Sequence, residues 1–182
     1  MRILKARDRV SSPWKNGGGV TAEIAVFPHG AGLDEFGWRV SAARVATGGP
    51  FSLFPGIDRT LAVLRGRMAL TVAGMGTVEL SSGSAPLAFP GDVATQAALL
   101  DGPVEDLNVM TRRGLFRAAV TRQAGGRIAP AADVTLLYML KETVIASGPL
   151  AMDDVVMLDR SDAAIALPPD ADFYRIEISA AI

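Results

Sequence analysis

Hydrophobic and polar positions alternate with a period of two over short stretches of the chain. In residues 38–45, Trp38 and Val40 share one strand face, whereas Arg39 and Ser41 lie on the other. No window of twelve residues shows the 3.6-residue period of a helix. Glycine and proline, with 19 and 11 copies, separate the stretches. The pattern predicts strands at 20–28, 37–45, 60–64, 70–73, 77–80, 86–89, 106–111, 116–122, 134–140, 143–146, 155–158 and 172–179.

Short strands separated by turn signals predict an all-β sandwich or barrel. Two stretches are weakly similar, SAPLA at 84–88 and SGPLA at 147–151, and an Asp-Val pair follows each of them. This similarity indicates two related β-halves, with a join predicted at 125–130. A chain of 182 residues is long enough for two small halves that pack together.

Composition narrows the range of functions. The chain is 49% hydrophobic and 20% charged, which is typical of a globular protein. Its net charge of −1, without any charge block, favours no nucleic-acid partner and no membrane partner. The first residues lack the apolar core of a signal peptide, and no apolar run is long enough to span a bilayer. We therefore expect a cytoplasmic protein.

Metal and thiol chemistry are not indicated. The chain has no cysteine, which removes disulfides, thiolate nucleophiles and cysteine-based metal sites. Its single histidine, His29, lies between Pro28 and Gly30 in a predicted loop. One histidine without cysteine does not form an ordinary zinc or iron site. The sequence predicts no metal and no cofactor.

Polar residues in two predicted strands are candidates for a site. Arg39 and Ser41 share a strand face, and an arginine that points into a barrel would need a carboxylate or a ligand. The alternative is an exposed arginine or a structural salt bridge. Asn108 shares a face with Asp106 and Met110 in the segment DLNVM, either lining a cavity or facing water.

Two turn-rich segments add further candidates. In PWKNGGGVT at 13–21, three glycines expose backbone N–H groups, and Lys15 and Asn16 would make this an anion-contacting loop. A plain Asn-Gly turn is the alternative. In GPFSLFPGIDR at 49–59, Ser52, Asp58 and Arg59 supply polar groups around tight turns. Here the alternative for Asp58 and Arg59 is an ion pair that stabilises the turn.

The segments PWKNGGGVT, WRVS, GPFSLFPGIDR and DLNVM resemble the signature segments of the HutD/Ves family and occur in the family's order. The resemblance covers residues 4 to about 116. It implies a double cupin, with two RmlC-like β-barrels, or jelly rolls, in one chain. The PGD turn at 90–92 is similar to the turn of the second cupin motif. The histidine-rich motif of metal cupins is missing from 51–59, which again implies no metal.

The resemblance also implies a function and an organisation. Proteins of this family accompany histidine-utilisation genes, and we expect a regulatory or flux-moderating protein that binds a small carboxylate such as urocanate or a formylglutamate-like acid. We expect one compact bicupin of residues 1–182, with halves of about 1–120 and 121–182 that exchange strands. The pocket residues implied by the resemblance are Lys15, Asn16, Arg39, Ser41, Ser52, Asp58, Arg59 and Asn108.

Two other classes of function stay open. One is a metal-independent isomerase or hydrolase, with Asp58 or Glu23 as its base. The other is a protein-interaction module. A homodimer through an open sheet edge is compatible with both, because such edges need cover.

Overall fold

The prediction of an all-β protein is confirmed by a computed structural model, which describes residues 1–14 and 17–181. Within these residues the only helical segment is one 3-10 turn, Ala6–Asp8. The strands are β1 Arg2–Leu4, β2 Ser11–Pro13, β3 Gly19–Phe27, β4 Trp38–Val45, β5 Gly49–Pro50, β6 Ile57–Arg65, β7 Arg67–Val72, β8 Gly76–Ser81, β9 Leu87–Pro90, β10 Thr95–Leu99, β11 Val104–Arg112, β12 Phe116–Ile128, β13 Val134–Met139, β14 Thr143–Ile145, β15 Gly148–Leu150, β16 Val155–Asp159 and β17 Ile165–Ala180.

All twelve predicted strands are present, with their ends shifted by a few residues, and five strands were not predicted. Four of these, β1, β2, β5 and β15, have only two or three residues, too few to show a period. The fifth, β10, alternates as expected, since Thr95 and Ala97 are buried and Gln96 and Ala98 exposed. Its small and amide side chains are weak β-formers, which hides the strand in the sequence.

The chain forms two compact units, and the first of them is Val10–Leu115. Its strands make a six-stranded sheet in the order β2-β3-β4-β11-β6-β9 and a four-stranded sheet in the order β5-β10-β7-β8. Side chains from β6 and β7, among them Leu61, Met68 and Leu70, form a fully buried apolar core. This packing accounts for the alternation of buried and exposed positions along the strands of the smaller sheet.

The register of the three central strands decides which side chains are neighbours. Asn108 of β11 lies opposite Ser41 of β4 and Leu61 of β6. Two residues further along β11, Met110 lies opposite Arg39 and Arg59. All six side chains therefore point to the same side of the sheet, because neighbours in a ladder share a face.

The second unit combines Met1–Arg9 with Phe116–Ile182. Its main sheet has the order β1-β16-β13-β17-β12, and a small sheet pairs β14 with β15. The N-terminal strand β1 thus pairs with β16, far along the chain. Asp154, which is 1% exposed, holds this end in place by accepting hydrogen bonds from Lys5 Nζ at 2.9 Å and from the Ala6 amide at 2.8 Å.

The boundary between the units falls at Leu115 and Phe116. Residues 125–128 of the segment predicted as the join continue β12, which pairs with β17 through a register shift between Ala124 and Gly126. At Gly125 a Cβ atom would lie 1.7 Å from the Pro168 carbonyl oxygen. A glycine pair here therefore serves a close approach of two strands rather than a linker.

In the part of the chain that the structure describes, none of the helical residues forms a segment long and apolar enough to cross a bilayer.

Candidate functional site

Four of the predicted pocket residues come together on one face of the first unit. They are Arg39 and Ser41 on β4, Arg59 on β6 and Asn108 on β11. The period of two places them there, because Arg39 and Ser41 are two residues apart and the register sets them level with Met110 and Asn108. Apart from Arg39, which is partly buried, these side chains are buried.

Arg59 is the centre of this group and is 7% exposed. Its Nε and Nη2 atoms both donate to Oδ1 of Asn108, at 3.3 and 2.7 Å. Its guanidinium lies 4.8 Å from the ring centre of Phe51, 5.8 Å from that of Phe54 and 5.4 Å from that of Phe89. These aromatic faces stabilise the cation partly by cation–π contact, in a place where water does not surround it.

Burial lowers the pKa of Arg59 to about 10. The negative charge of Asp106 opposes that shift, and the positive charge of Arg39 adds to it. A buried guanidinium under these influences is an incompletely compensated cation, which an anion would stabilise.

Asn108 connects Arg59 to a buried carboxyl group. Its Nδ2 atom donates to Oδ1 of Asp106 at 2.7 Å, and this fixes the amide so that Oδ1 faces Arg59. Asp106 is 1% exposed, and burial raises its pKa to about 7, against the opposing effects of the Arg59 charge and the Asn108 hydrogen bond. At neutral pH the acid therefore populates both its protonated and its ionised form.

Arg39 is the second guanidinium on this face. Its Nε atom donates to Oε2 of Glu23 at 2.9 Å, and its Nη1 atom makes a long 3.4 Å contact with Oγ of Ser41. The side chain of Arg39 is 14% exposed and that of Glu23 is 43% exposed. This ion pair thus lies nearer to solvent than Arg59 does.

The charges on this face do not balance when Asp106 is protonated. Two guanidiniums then face one remaining acidic partner, Glu23. Among the contacts of the described residues, Nη1 of Arg59 has no hydrogen-bond partner, so its N–H groups are available to a ligand. A guanidinium with unused donors in an apolar, aromatic setting suits a carboxylate, whose two oxygens match the fork of N–H groups.

The other predicted residues lie elsewhere. Ser52 is exposed in the loop between Phe51 and Phe54. Asp58 points away from Arg59, its neighbour on β6, and forms an ion pair with Arg113 at 2.7 Å, so an ion pair of Asp58 with Arg59 is not what stabilises this turn. It is therefore not placed to act as a base in this group. Lys15 and Asn16 lie outside the described residues.

Several residues that shape the group were not among the predicted pocket residues. Asp106 was noted only for sharing a face with Asn108, and Phe51 and Phe89 supply two of the rings around Arg59. The available signal was the spacing in DLNVM, where two polar residues two apart occur in a segment whose other three residues are apolar. Polar groups on the buried face of such a strand need partners, and the partner here is an arginine from the next strand.

A solvent-open cleft lies on the same unit, lined by Trp14, Val45, Gly48, Phe51 and Ala97 among others. The Trp14 indole donates to Oγ1 of Thr21 at 2.7 Å, which holds the ring at the cleft. Phe51 lines this cleft, and its ring also lies against the Arg59 guanidinium.

The donor set around Arg59 does not fit a divalent metal ion. Cupins that bind a metal use histidines, whereas this face offers two guanidiniums, an amide and one buried carboxyl group. Across the described ranges, no group of three or more histidine, cysteine, aspartate or glutamate side chains is close enough to hold a metal ion. A cation would also be repelled by Arg39 and Arg59.

Comparison with known proteins identifies relatives over nearly the whole length of the chain. The family model described as HutD matches residues 6–175. An uncharacterised 21.2 kDa protein in the hutC 3' region of Pseudomonas putida is 34% identical over 186 residues, covering 98% of this chain and 97% of that protein. Protein Ves of Citrobacter koseri is 38% identical over 121 residues, covering 66% of this chain and 62% of that protein.

Solved structures agree with these sequence matches. HutD from Pseudomonas fluorescens SBW25 has a TM-score of 0.86 and 30% identity, covering 100% of this chain and 99% of that one. Oxalate decarboxylase of Bacillus subtilis has a TM-score of 0.65 at 10% identity, covering 98% of this chain and 77% of that one, and this likeness concerns the fold alone. The predicted double-cupin fold is confirmed.

Proposed function

Because this chain belongs to the HutD family, we propose that it binds a small carboxylate metabolite of histidine degradation on the Arg59 face of its first unit. The observation that carries this proposal is the buried Arg59 guanidinium, held by Asn108 and three phenylalanine rings, with Nη1 donors that no described group uses. Burial of a ligand carboxylate against it exchanges hydration for two charge-assisted hydrogen bonds.

The class of ligand follows from the surroundings of Arg59. Phe51, Phe54 and Phe89 present apolar surface, which suits the carbon skeleton of a small acid. Arg39 offers a second positive charge at the more exposed side, so an acid with two carboxylates or with a polar ring has a second partner. Urocanate and N-formyl-L-glutamate both meet these conditions.

The histidine connection rests on the relatives. One of them carries the name of the hutC region, and the HutD resemblance implies an association with histidine-utilisation genes. In that setting, a protein that binds a pathway intermediate moderates flux or regulation by sensing how much of the intermediate is present. Its effect then depends on the occupancy of the Arg59 face.

The test is titration calorimetry with urocanate and with N-formyl-L-glutamate on the wild type and on Arg59→Gln. We expect one of the two acids to bind and the substitution to weaken its binding by about 2–3 kcal/mol, the contribution of a buried charge-assisted hydrogen bond. The matched control is Arg65→Gln, on the same strand, where the exposed arginine pairs with Glu105 and should not matter.

Arg59→Lys separates loss of fold from loss of binding. It keeps a cation between the rings but removes the planar fork, so we expect weakened binding with a folded protein. Equal affinity for wild type and Arg59→Gln, both folded by circular dichroism, would remove this face from the proposal. A wild type that binds neither acid would remove the ligand class.

A further inference from the structure

Asp106 lies directly behind the residue that holds Arg59. Among the described residues, its side chain makes one hydrogen bond, which it accepts from Nδ2 of Asn108 at 2.7 Å. Its neighbours across the ladder, Ala43 and Val63, are apolar and buried. The carboxyl group is therefore one amide away from the guanidinium on which the proposed ligand would bind.

Few charged groups act on this carboxyl. Among the described residues, Arg59 on β6 is the charged group that acts on it, and Arg39 on β4 with its partner Glu23 on β3 are the other charged side chains of the face. The smaller sheet contributes apolar side chains to the core of this unit, namely Met68, Leu70, Val72, Leu80 and Ala97. The charge of Asp106 is thus balanced mainly by Arg59.

We propose that Asp106 is the positioning residue of this site and takes up a proton when an anion binds to Arg59, so that affinity for the anion falls as the pH rises. The inference rests on the proposed function. Its basis is competition between two anions for one cation. An ionised Asp106 already compensates part of the positive charge of Arg59, whereas a protonated Asp106 leaves that charge to be compensated by the ligand.

The pKa of Asp106 supports this coupling. Burial raises it to about 7 in the free protein, so the acid changes state within the neutral range. A bound carboxylate adds a second negative charge nearby, which raises the pKa further. By linkage, a ligand that raises the pKa of a group binds more tightly to the protonated protein.

The hydrogen-bond geometry survives protonation. A protonated carboxyl keeps a carbonyl oxygen that accepts from Nδ2 of Asn108, so the amide stays oriented toward Arg59. An asparagine at 106 has the same shape and the same acceptor. Asp106→Asn therefore imitates the protonated state at every pH.

The experiment uses formate, which stays ionised throughout the range from pH 5.5 to 8.5. Binding is followed by ¹⁵N NMR titration, and the side-chain carboxyl of Asp106 is followed by its ¹³C shift with and without formate. For the wild type we expect roughly ten-fold weaker binding at pH 8.5 than at pH 5.5, and a carboxyl titration midpoint that rises when formate is present.

Three variants make the result specific. Asp106→Asn should bind formate with one affinity at all pH values, equal to that of the wild type at pH 5.5. Glu105→Gln, the adjacent residue on β11 whose side chain pairs with Arg65, should keep the pH dependence of the wild type. Glu23→Gln should also keep it, because the exposed Glu23 side chain pairs with Arg39 rather than with Arg59.

The outcomes distinguish this inference from the proposed function. Formate binding with no pH dependence and an unmoved carboxyl midpoint would overturn the role of Asp106 and leave the anion site standing. A pH dependence that persists in Asp106→Asn would assign the proton to another group and overturn the inference too. If formate does not bind at any pH, and neither urocanate nor N-formyl-L-glutamate binds, both the site and the coupling are wrong.

Discussion

Oδ1 of Asn108 accepts hydrogen bonds from two nitrogen atoms of Arg59, Nε at 3.3 Å and Nη2 at 2.7 Å. One neutral oxygen thus holds a buried cation, and the amide is itself oriented by Asp106. The position of Arg59 depends on a chain of two side chains that lie on a single strand, β11. Substitutions on β11 can therefore change both the stability of the protein and the availability of Arg59 to a ligand.

Replacement of Asn108 by leucine tests this dependence. Leucine has nearly the same volume but no acceptor, so Arg59 stays buried without its partner. We expect the free energy of unfolding to fall by about 3–5 kcal/mol. Urea denaturation measures it. Asn108→Asp keeps an acceptor for Arg59, and a proton shared between the two carboxyl groups replaces the lost donor to Asp106, so this variant should lose less. An equal loss in both variants would mean that packing, not the hydrogen bond to Arg59, dominates.

The raised pKa of Asp106 predicts an unusual contribution to stability. Between about pH 4 and pH 7 the folded protein keeps the proton that the unfolded chain releases, so the folded state binds more protons. This contribution to stability therefore falls as the pH rises through that window and is constant above about pH 7.

Asp106→Asn removes this contribution without changing the shape of the side chain. The difference in unfolding free energy between the variant and the wild type should grow in favour of the variant by a few kcal/mol, roughly, from pH 4 to pH 7. Comparing the variant with the wild type cancels the contributions of the other acids to the pH dependence of stability. Asp154 and Asp172 are examples, and their lowered pKa values act in the opposite direction. A difference that is constant with pH would show that Asp106 titrates normally.

Gly91, in the Pro-Gly-Asp turn, packs against the aliphatic part of Arg59. A Cβ atom there would lie 2.9 Å from the Ile57 carbonyl oxygen and 3.2 Å from both Cγ and Cδ of Arg59. Gly91→Ala should therefore displace Arg59, lower stability by about 1–3 kcal/mol and weaken carboxylate binding. Gly83→Ala is the control, because its Cβ would meet only one side-chain oxygen at 3.9 Å. Unchanged binding in Gly91→Ala would show that Arg59 adapts.

Asp58 should have little influence on ligand binding, although it is adjacent to Arg59. Its carboxylate pairs with Arg113, which also binds Asp92, and all three side chains are partly exposed. Asp58→Asn should change the affinity for the carboxylate less than two-fold in calorimetry, because exposed ion pairs are weak and screened by salt. A loss as large as that of Arg59→Gln would place Asp58 in the site after all.

Asp154 should control the attachment of the N-terminal strand. It accepts from Lys5 and from the backbone amides of Ala6 and Ala151, and although burial opposes the shift, these bonds lower its pKa. Its contribution to stability is present above about pH 4 and is lost as the pH falls through the lowered folded value.

For Asp154→Ala we expect a loss of about 3–5 kcal/mol, with faster hydrogen exchange of the β1 amides than of those in β11. Asp170→Ala is the control, since Asp170 is exposed and pairs only with Lys141 among the contacts described for it. Equal exchange in β1 of wild type and Asp154→Ala would show that pairing with β16 suffices to hold this strand.

Most strands were predictable from the sequence because apolar and polar positions alternate clearly along them. In β4 the alternation of Trp38 and Val40 with Arg39 and Ser41 matches the observed faces. Very short strands such as β1 and β5 escaped, because two or three residues carry no period. The pairing of β1 with β16 could not be predicted either, because residues 2–4 contain no local signal that identifies a strand partner 155 positions away.

The two arginines of the candidate site were among the residues predicted from the sequence, whereas the arrangement of the side chains around them was not predicted. Asp58 and Arg59 were grouped because they are adjacent, yet adjacent residues of a strand point to opposite faces, and that rule would have separated them. The proposed role of Asp106 could be inferred only from the register of β6 against β11, which brings Arg59 level with Met110 and within reach of Asn108. Phe89 lies opposite Arg59 in the ladder of β6 with β9, whereas Phe51 and Phe54 reach Arg59 from a loop. A period of two along the sequence specifies neither the strand pairing nor the path of the loop.

The pairing of β1 with β16 has a consequence for the order of biosynthesis. All strands of the first unit, from Ser11 to Arg112, leave the ribosome before β16 exists, so that unit has every partner it needs while translation continues. Residues 1–9 lack their strand partner until β16 has been synthesised. A released chain that ends after residue 115 would contain every strand of the Arg59 face, together with a leading segment of nine residues that lacks its strand partner.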